Sequence, residues 1–411
     1  MNLPSIRFSP LWILAALVCP TLGHTAPPAG AKPVRIGFFC PLTGGSQDFG
    51  NSARLGAELA VNEINEAGGY LGRKLELVIR DDKAVPDEGR KVAEDLVLKE
   101  KVDFTIGGCN TGVVMKTLDI FQDNKHVLVV PVSTGSAVTA KYPPASSYIF
   151  RMSAKDTLQA GFMVDEVVVR RGLKKVAIFA DKTGYGEGGF KDVEQFLAER
   201  KLTPVYVARF DLGVKSLTQQ MQEAKAAGAD VIIGYTVGPE FTVMTQARTA
   251  AGLSAPLYGS WPLSFRTVSE RAGGAAEGTA MVQTIIQDLS NERRSSFIAR
   301  LKRHAGKSYV DSLMAAAQTY DAVQLMLTVV FQTRGDSSGD ALKKGLENLE
   351  RPYRGVITTH DRPFSSADHD AFSRNMIWMG VWRKGEVQFL SPEDASKASI
   401  IRRKEQAVVT K

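Results

Sequence analysis

Little in this chain is equipped to do chemistry. Its 411 residues include only three cysteines and five histidines. Two cysteine pairs for a zinc ribbon are missing, and His24, His126, His304, His360 and His369 show no His-Glu-x-x-His spacing. No Walker A run and no Gly-x-Ser-x-Gly elbow occurs. These gaps set aside zinc hydrolases, P-loop nucleotidases and serine hydrolases. The run Gly184-Tyr185-Gly186-Glu187-Gly188-Gly189 has the spacing of a dinucleotide fingerprint. Such a site wants glycines tight against the strand and an acidic ribose ligand near the next strand end. Here Tyr185 occupies the turn and the next strand ends at Arg209-Phe210-Asp211, so the match is loose and no cofactor is expected. Beyond the first thirty residues, no run reaches the roughly twenty apolar residues of a membrane helix.

What is present is an ordinary folded composition, 44% hydrophobic and 23% charged, in a chain long enough for two domains. The net charge of +7 is spread out. Its densest clusters are Arg293-Arg294 with Arg300, Lys302 and Arg303, and Arg402-Arg403-Lys404. No aromatic residues interleave with them, so they read as solvated surface and no nucleic-acid partner is expected. Arg7, the apolar run Leu11 to Val18 and the small residues that follow read as a signal peptide over 1–26, cut after Gly23 or Ala26. Cys19 leaves with it. Cys40 and Cys109 remain, in a compartment where disulfides persist.

From Val34 onward strands and helices alternate. Val34–Phe39, Leu75–Arg80, Phe104–Gly107 and Val127–Val132 are apolar, β-branched strands, with helices between them such as Val113–Gln122. A second series follows, with strands at Val176–Ala180, Pro204–Arg209, Val231–Gly234 and Leu257–Gly259. The pattern implies an α/β fold with two parallel sheets flanked by helices. A hairpin about Lys384-Gly385 is the one clear antiparallel element. In open parallel sheets ligands sit beyond the carboxyl ends of strands. There the sequence places hydroxyls: Thr111 and the Ser133-Thr134 pair stand where helix N-caps are expected. Free amides and the helix dipole at such a place can hold a carboxylate without an arginine, and the hydroxyls can equally be plain caps.

Val34–Gly44 (VRIGFFCPLTG), Phe49-Gly50, GAELAVNEINEAGGYLG from Gly56, Arg80-Asp81-Asp82, Gly107–Gly112, Pro131–Thr134, Asp181–Gly188 and Gln246–Gly252 follow one another in order. Together this series resembles the type I periplasmic binding proteins for leucine, isoleucine and valine, from about Val34 to Leu390. The resemblance implies two Rossmann-like lobes joined by a three-segment hinge, in a periplasmic monomer without catalysis. Lobe one would take 34–150 plus 282–360, lobe two 151–281 plus 361–390, and 391–411 would be a polar tail. The partners implied are a small-molecule ligand and an ABC permease in the inner membrane. By position, Thr111 and Thr134 would receive a ligand carboxylate, helped by groups at Cys109, Asn110, Val132 and Ser133. Phe49, Tyr185, Val237 and Trp261 would wall the pocket. The family's fold also makes neighbours of the strands ending at Cys40 and Cys109, so a disulfide and two buried thiols both fit.

One departure stands out. The family places an acid after the strand corresponding to Leu257–Gly259, against the ligand ammonium; this chain has Ser260-Trp261-Pro262. A buried ammonium without an opposite charge is costly. Either Glu240 or Asp48 reaches in, or the ligand has no α-amino group. The expected ligand is a small amphipathic carboxylate such as a branched-chain or other hydrophobic amino acid. The alternatives are an aromatic or hydrophobic acid lacking the amino group, or a ligand-sensing role in a signalling receptor on the same fold.

Overall fold

The computed structural model describes residues 32–288 and 291–398, with 402, 404 and 405. The expected signal peptide and most of the last dozen residues lie outside them. The first sheet is parallel, in the order β2-β1-β3-β4-β5. Its strands are β1 (Val34–Cys40), β2 (Leu75–Asp81), β3 (Phe104–Gly107), β4 (Leu128–Val130) and β5 (Ile149–Arg151). Helices α1 (Gln47–Glu66), α2 (Pro86–Glu94), α3 (Thr111–Asp123) and α4 (Ala137–Ala140) connect them. Successive strand residues point to opposite faces. Phe38 therefore packs with Ala53 and Ala57 of α1, while Phe39 packs with Val114 and Phe121 of α3.

After α5 (Asp156–Val164) the chain builds the second sheet, ordered β14-β13-β10-β9-β8-β6-β7. Its parallel strands are β6 (Val176–Asp181), β7 (Tyr206–Phe210), β8 (Val231–Tyr235), β9 (Leu257–Gly259) and β10 (Ala280–Gln283). Helices α6 (Gly184–Glu199), α7 (Thr218–Ala226), α8 (Glu240–Ala250) and α9 (Arg266–Ala272) link them. The chain then returns to the first lobe. There α10 (Glu292–Ala305), α11 (Leu313–Gln332) and α12 (Gly339–Glu347) precede a short ladder, β11 (Tyr353–Arg354) with β12 (Thr359–His360). It re-enters the second sheet as the hairpin β13 (Trp378–Arg383) and β14 (Glu386–Phe389), followed by α13 (Pro392–Ala398).

The structure differs from the sequence reading in three places. Antiparallel pairing is not confined to the hairpin, because β10 pairs antiparallel with β13 and β11 with β12. The expected tail opens with helix α13, whose Ala398 packs with Trp378 and Phe389. The Arg293-Arg294 cluster is not all solvated: Arg294 is 4% exposed because residues 357 and 398 close over it. Among the described residues only α11 is long and apolar enough to cross a membrane, and most of it is buried in the protein. It packs along α1, where Ser312 N donates to Ser52 Oγ (3.0 Å) and Tyr320 Oη to Glu63 Oε2 (2.7 Å).

Candidate functional site

A cavity of about 260 Å³ lies where the carboxyl ends of both sheets face each other. That is small even for a small-molecule site, typically about 300–1,000 Å³. The first lobe lines it with Phe49, Cys109, Asn110, Thr111, Val132 and Thr134; the second with Tyr185, Val237 and Trp261. Of the ten residues expected from the sequence, Ser133 alone is outside the lining. It stands behind the wall, its Oγ 3.0 Å from Thr111 Oγ1. The sequence reading overlooked Ser46, Ala84, Pro86, Gly112, Val113, Thr183, Gly184, Leu212 and Pro262. Ala84 with Pro86 and Leu212 follow the ends of β2 and β7, where the strand-end rule would have found them.

The hydroxyls do not act as the N-caps that the sequence suggests. The cap of α3 is Asn110, in extended conformation, and its Nδ2 donates to Ser46 Oγ (3.1 Å) rather than closing the helix. Thr111 is the first helical residue, and the N-cap position of α4 is Ser136, two residues beyond Thr134. The first amides of α3 therefore have neither an intrahelical nor a side-chain partner. Facing them is the first turn of α6. A Cβ built on Gly184 would lie 3.9 Å from Gly112 Cα, so the two helix N-termini nearly touch across the cleft. Their dipoles both favour negative charge between them.

Around that point sit buried polar atoms without a well-formed hydrogen bond in the protein: Thr134 Oγ1, Tyr185 Oη, Ser260 Oγ, Trp261 Nε1 and Asn110 Oδ1, with Thr134 and Ser260 lying close to the Tyr185 hydroxyl. Four of the five can donate. A buried group left unpaired costs about 1–3 kcal/mol. Burial pushes the Tyr185 hydroxyl well above its usual value, so it stays a neutral donor. Phe49 closes one end of the cavity, its ring centroid 5.0 Å from Trp261 and 4.6 Å from Phe265.

No described residue lining the cavity is charged. Neither acid considered from the sequence reaches it. Asp48 Oδ2 accepts from Thr267 Oγ1 across the lobes (2.7 Å), and Glu240 Oε1 accepts from Gly213 N (2.9 Å). Asp156 is buried beneath the site, its Oδ1 2.9 Å from Tyr235 Oη, and burial pushes its carboxyl up to about 7.

The wall formed by residues 132–135 is braced from behind. The buried Arg151 donates to the carbonyls of Thr134 (2.9 Å) and Gly135 (2.7 Å) and pairs with Asp370 at 2.7 Å. Burial alone would raise the Asp370 carboxyl, but Arg151 and Lys155 hold it well below the usual carboxylate range. A disulfide joins Cys40, the last residue of β1, to Cys109, just beyond the end of the adjacent β3, with Cα atoms 5.3 Å apart.

The periplasmic binding protein family profile matches residues 33–386. The chain belongs to that family. A Leu/Ile/Val-binding protein homolog of Brucella melitensis is 31% identical over 63% of this chain and 69% of its own length. The Streptococcus pneumoniae branched-chain amino acid transporter substrate-binding protein, solved with isoleucine, superposes with a TM-score of 0.75. It is 22% identical, over 87% of this chain and 98% of that one. An ABC transporter solute-binding protein from R. palustris, solved with benzoate, also gives 0.75, at 21% identity over 87% of this chain and 96% of that one. At those identities the structures speak for the fold, and the sequence relatives for a solute-binding role.

Proposed function

We propose that this periplasmic binding protein is the capture component of an ABC importer and takes a small amphipathic carboxylate between its lobes. The observation that carries this is the set of unpartnered donors beside the uncapped start of α3, in a cavity otherwise walled by Phe49, Val132, Val237 and Trp261. A carboxylate there would accept from Thr134, Tyr185 and the α3 amides, and the apolar body would lie against the rings. The chain holds its ligand and does not transform it. Exported and monomeric, it would present the ligand to an inner-membrane permease. Opening would turn on three crossings: after Arg151, between Gln283 and Glu292, and between His360 and Trp378. Related folds solved with isoleucine and with benzoate are consistent with a carboxylate ligand.

One further observation favours a second, narrower reading. With no acid among the described residues that line the cavity, an α-ammonium would be buried without an opposite charge, at a cost that neutral acceptors do not offset. An aromatic or branched aliphatic acid without the amino group fits the lining better than the corresponding amino acid. Calorimetric titration with leucine, phenylalanine, 4-methylpentanoate and benzoate tests both readings. The deaminated acids should bind at least about tenfold more tightly than the amino acids. Trp261→Glu should reverse that order. Tighter binding of leucine by the unaltered protein would overturn the narrower reading, and no binding of any carboxylate would overturn the broader one.

A further inference from the structure

A second cavity, of about 330 Å³, lies away from the cleft between two of the segments in which the chain changes lobes. One wall is the first turn of α10, reached from β10 of the second sheet. The others are residues 355–359 around the β11–β12 ladder, residues 375, 376 and 378 leading into β13, and Ala398 with Arg402. This lining differs from that of the cleft in carrying charge: among the described residues, Arg293, Arg294 and Arg402 stand against one acid, Glu292. Arg293 Nη1 is bound to Gly355 O (2.7 Å), and Arg402 lies over the Trp378 ring, 5.4 Å from its centroid.

Arg294 is the informative residue. It is 4% exposed, and only its Nη2 is satisfied, by the carbonyls of Ile357 (2.9 Å) and Ala398 (3.1 Å). Its Nε and Nη1 have no partner, nor does Arg402 Nε, nor the hydroxyl of the buried Thr359 on the opposite wall. Burial pulls the Arg294 guanidinium below its ordinary value, and the nearby Asp288 and Asp321 only partly offset this. Asp321 is already committed to the amides of Val356 (2.8 Å) and Ile357 (3.2 Å). A buried guanidinium with idle donors is costly unless an acceptor completes it. Guanidinium forks match carboxylate and phosphate oxygens in pairs.

We propose that this cavity is a second binding site, for a small oxyanion carrying two negative charges, seated on Arg294 and Arg402 with Thr359. Such an anion would tie the segment entering α10 to the segment entering β13. Its binding would therefore be coupled to the lobe movement that admits ligand to the cleft.

The test is calorimetric titration of the purified protein with inorganic phosphate and, separately, with succinate, in a buffer of low ionic strength free of other multivalent anions. One saturable site is expected for at least one of the two, and the preferred probe distinguishes a phosphate from a dicarboxylate ligand. Arg402→Gln, at a half-buried position, should weaken that binding about tenfold, with circular dichroism checking its fold. Arg294→Gln should abolish it, with circular dichroism reporting whether the variant folds. Thr134→Val, in the cleft, should leave it unchanged. No saturable binding of either probe, or binding indifferent to Arg402→Gln and to a folded Arg294→Gln, would overturn the proposal.

Discussion

The two walls of the cleft are built on different plans. In the first lobe the strand ends are tied to one another. Thr111 meets Ser133, Asn110 meets Ser46, a disulfide joins β1 to β3, and Arg151 grips the carbonyls behind Thr134. In the second lobe α6 is capped by its own Thr183, whose hydroxyl accepts from Tyr185 N (3.2 Å) and Gly186 N (3.4 Å). There the side chains that face the cavity, Tyr185 and Trp261, leave their polar atoms unpaired. The first wall is braced before ligand arrives, and apart from Thr134 its hydroxyls are occupied. The second wall has most to gain from a ligand, since filling its empty hydrogen-bonding positions removes a standing cost.

The largest disturbance should come from the brace. Arg151→Met leaves Asp370 buried without its main partner, and should cost about 3–5 kcal/mol in urea unfolding. The same pair sets an acid limit. Because the folded Asp370 carboxyl is depressed, its contribution is fully present above the unfolded value of about 4. It is lost as pH falls through the lower folded value, so the stability gap between wild type and Arg151→Met should narrow in acid.

Next in size is the staple. Replacing Cys40 and Cys109 together by alanine opens a 69-residue separation, and should lower unfolding free energy by up to about 4 kcal/mol. A variant as stable as wild type would show that hydrogen bonds alone brace the first wall.

The third prediction separates occupied from vacant hydroxyls. Thr134→Val and Tyr185→Phe each remove a buried polar atom without a well-formed hydrogen bond in the protein. They should weaken carboxylate binding about tenfold, yet raise the melting temperature of the ligand-free protein. Thr111→Val breaks its pairing with Ser133, so it should weaken binding and lower the melting temperature together. If all three shift stability in the same direction, the contrast between the walls fails.

The smallest effect concerns the link between the walls. Thr267→Val removes the hydrogen bond to Asp48 across the lobes, worth about 1 kcal/mol. A several-fold loss of affinity, at unchanged stability of each lobe, is expected from titration and denaturation.

The alternation of strands and helices was legible because parallel strands buried on both faces must be continuous apolar runs. Long-range closure was not legible in the same way. The glycines of 184–189 look like a loop, yet α6 runs through them. Thr183 caps the start, and Gly189 lies against the Tyr235 ring, where any side chain would collide with it. Arg293-Arg294 reads as surface because nothing nearby in sequence shows that residues 357 and 398 will cover Arg294. The cavity-facing hydroxyls were found because the strand-end rule is geometric. Their status as N-caps was misread because Asn110 turns its side chain to Ser46, sixty-four residues away. The family's missing acid could be seen as an absence, but only the fold shows that Asp48 and Glu240 are engaged elsewhere.

The packing of α1 along α11 also sets a timetable. Ser52 waits for Ser312, 260 residues further on, and Glu63 for Tyr320, 257 further on. The second sheet, for its part, is unfinished until β13 and β14 have emerged. Contacts so distant along the chain form slowly. Neither lobe can therefore finish before the last quarter of the polypeptide has been synthesised. The first sheet has all five strands by Arg151, yet its α1 face stays uncovered until α11 arrives.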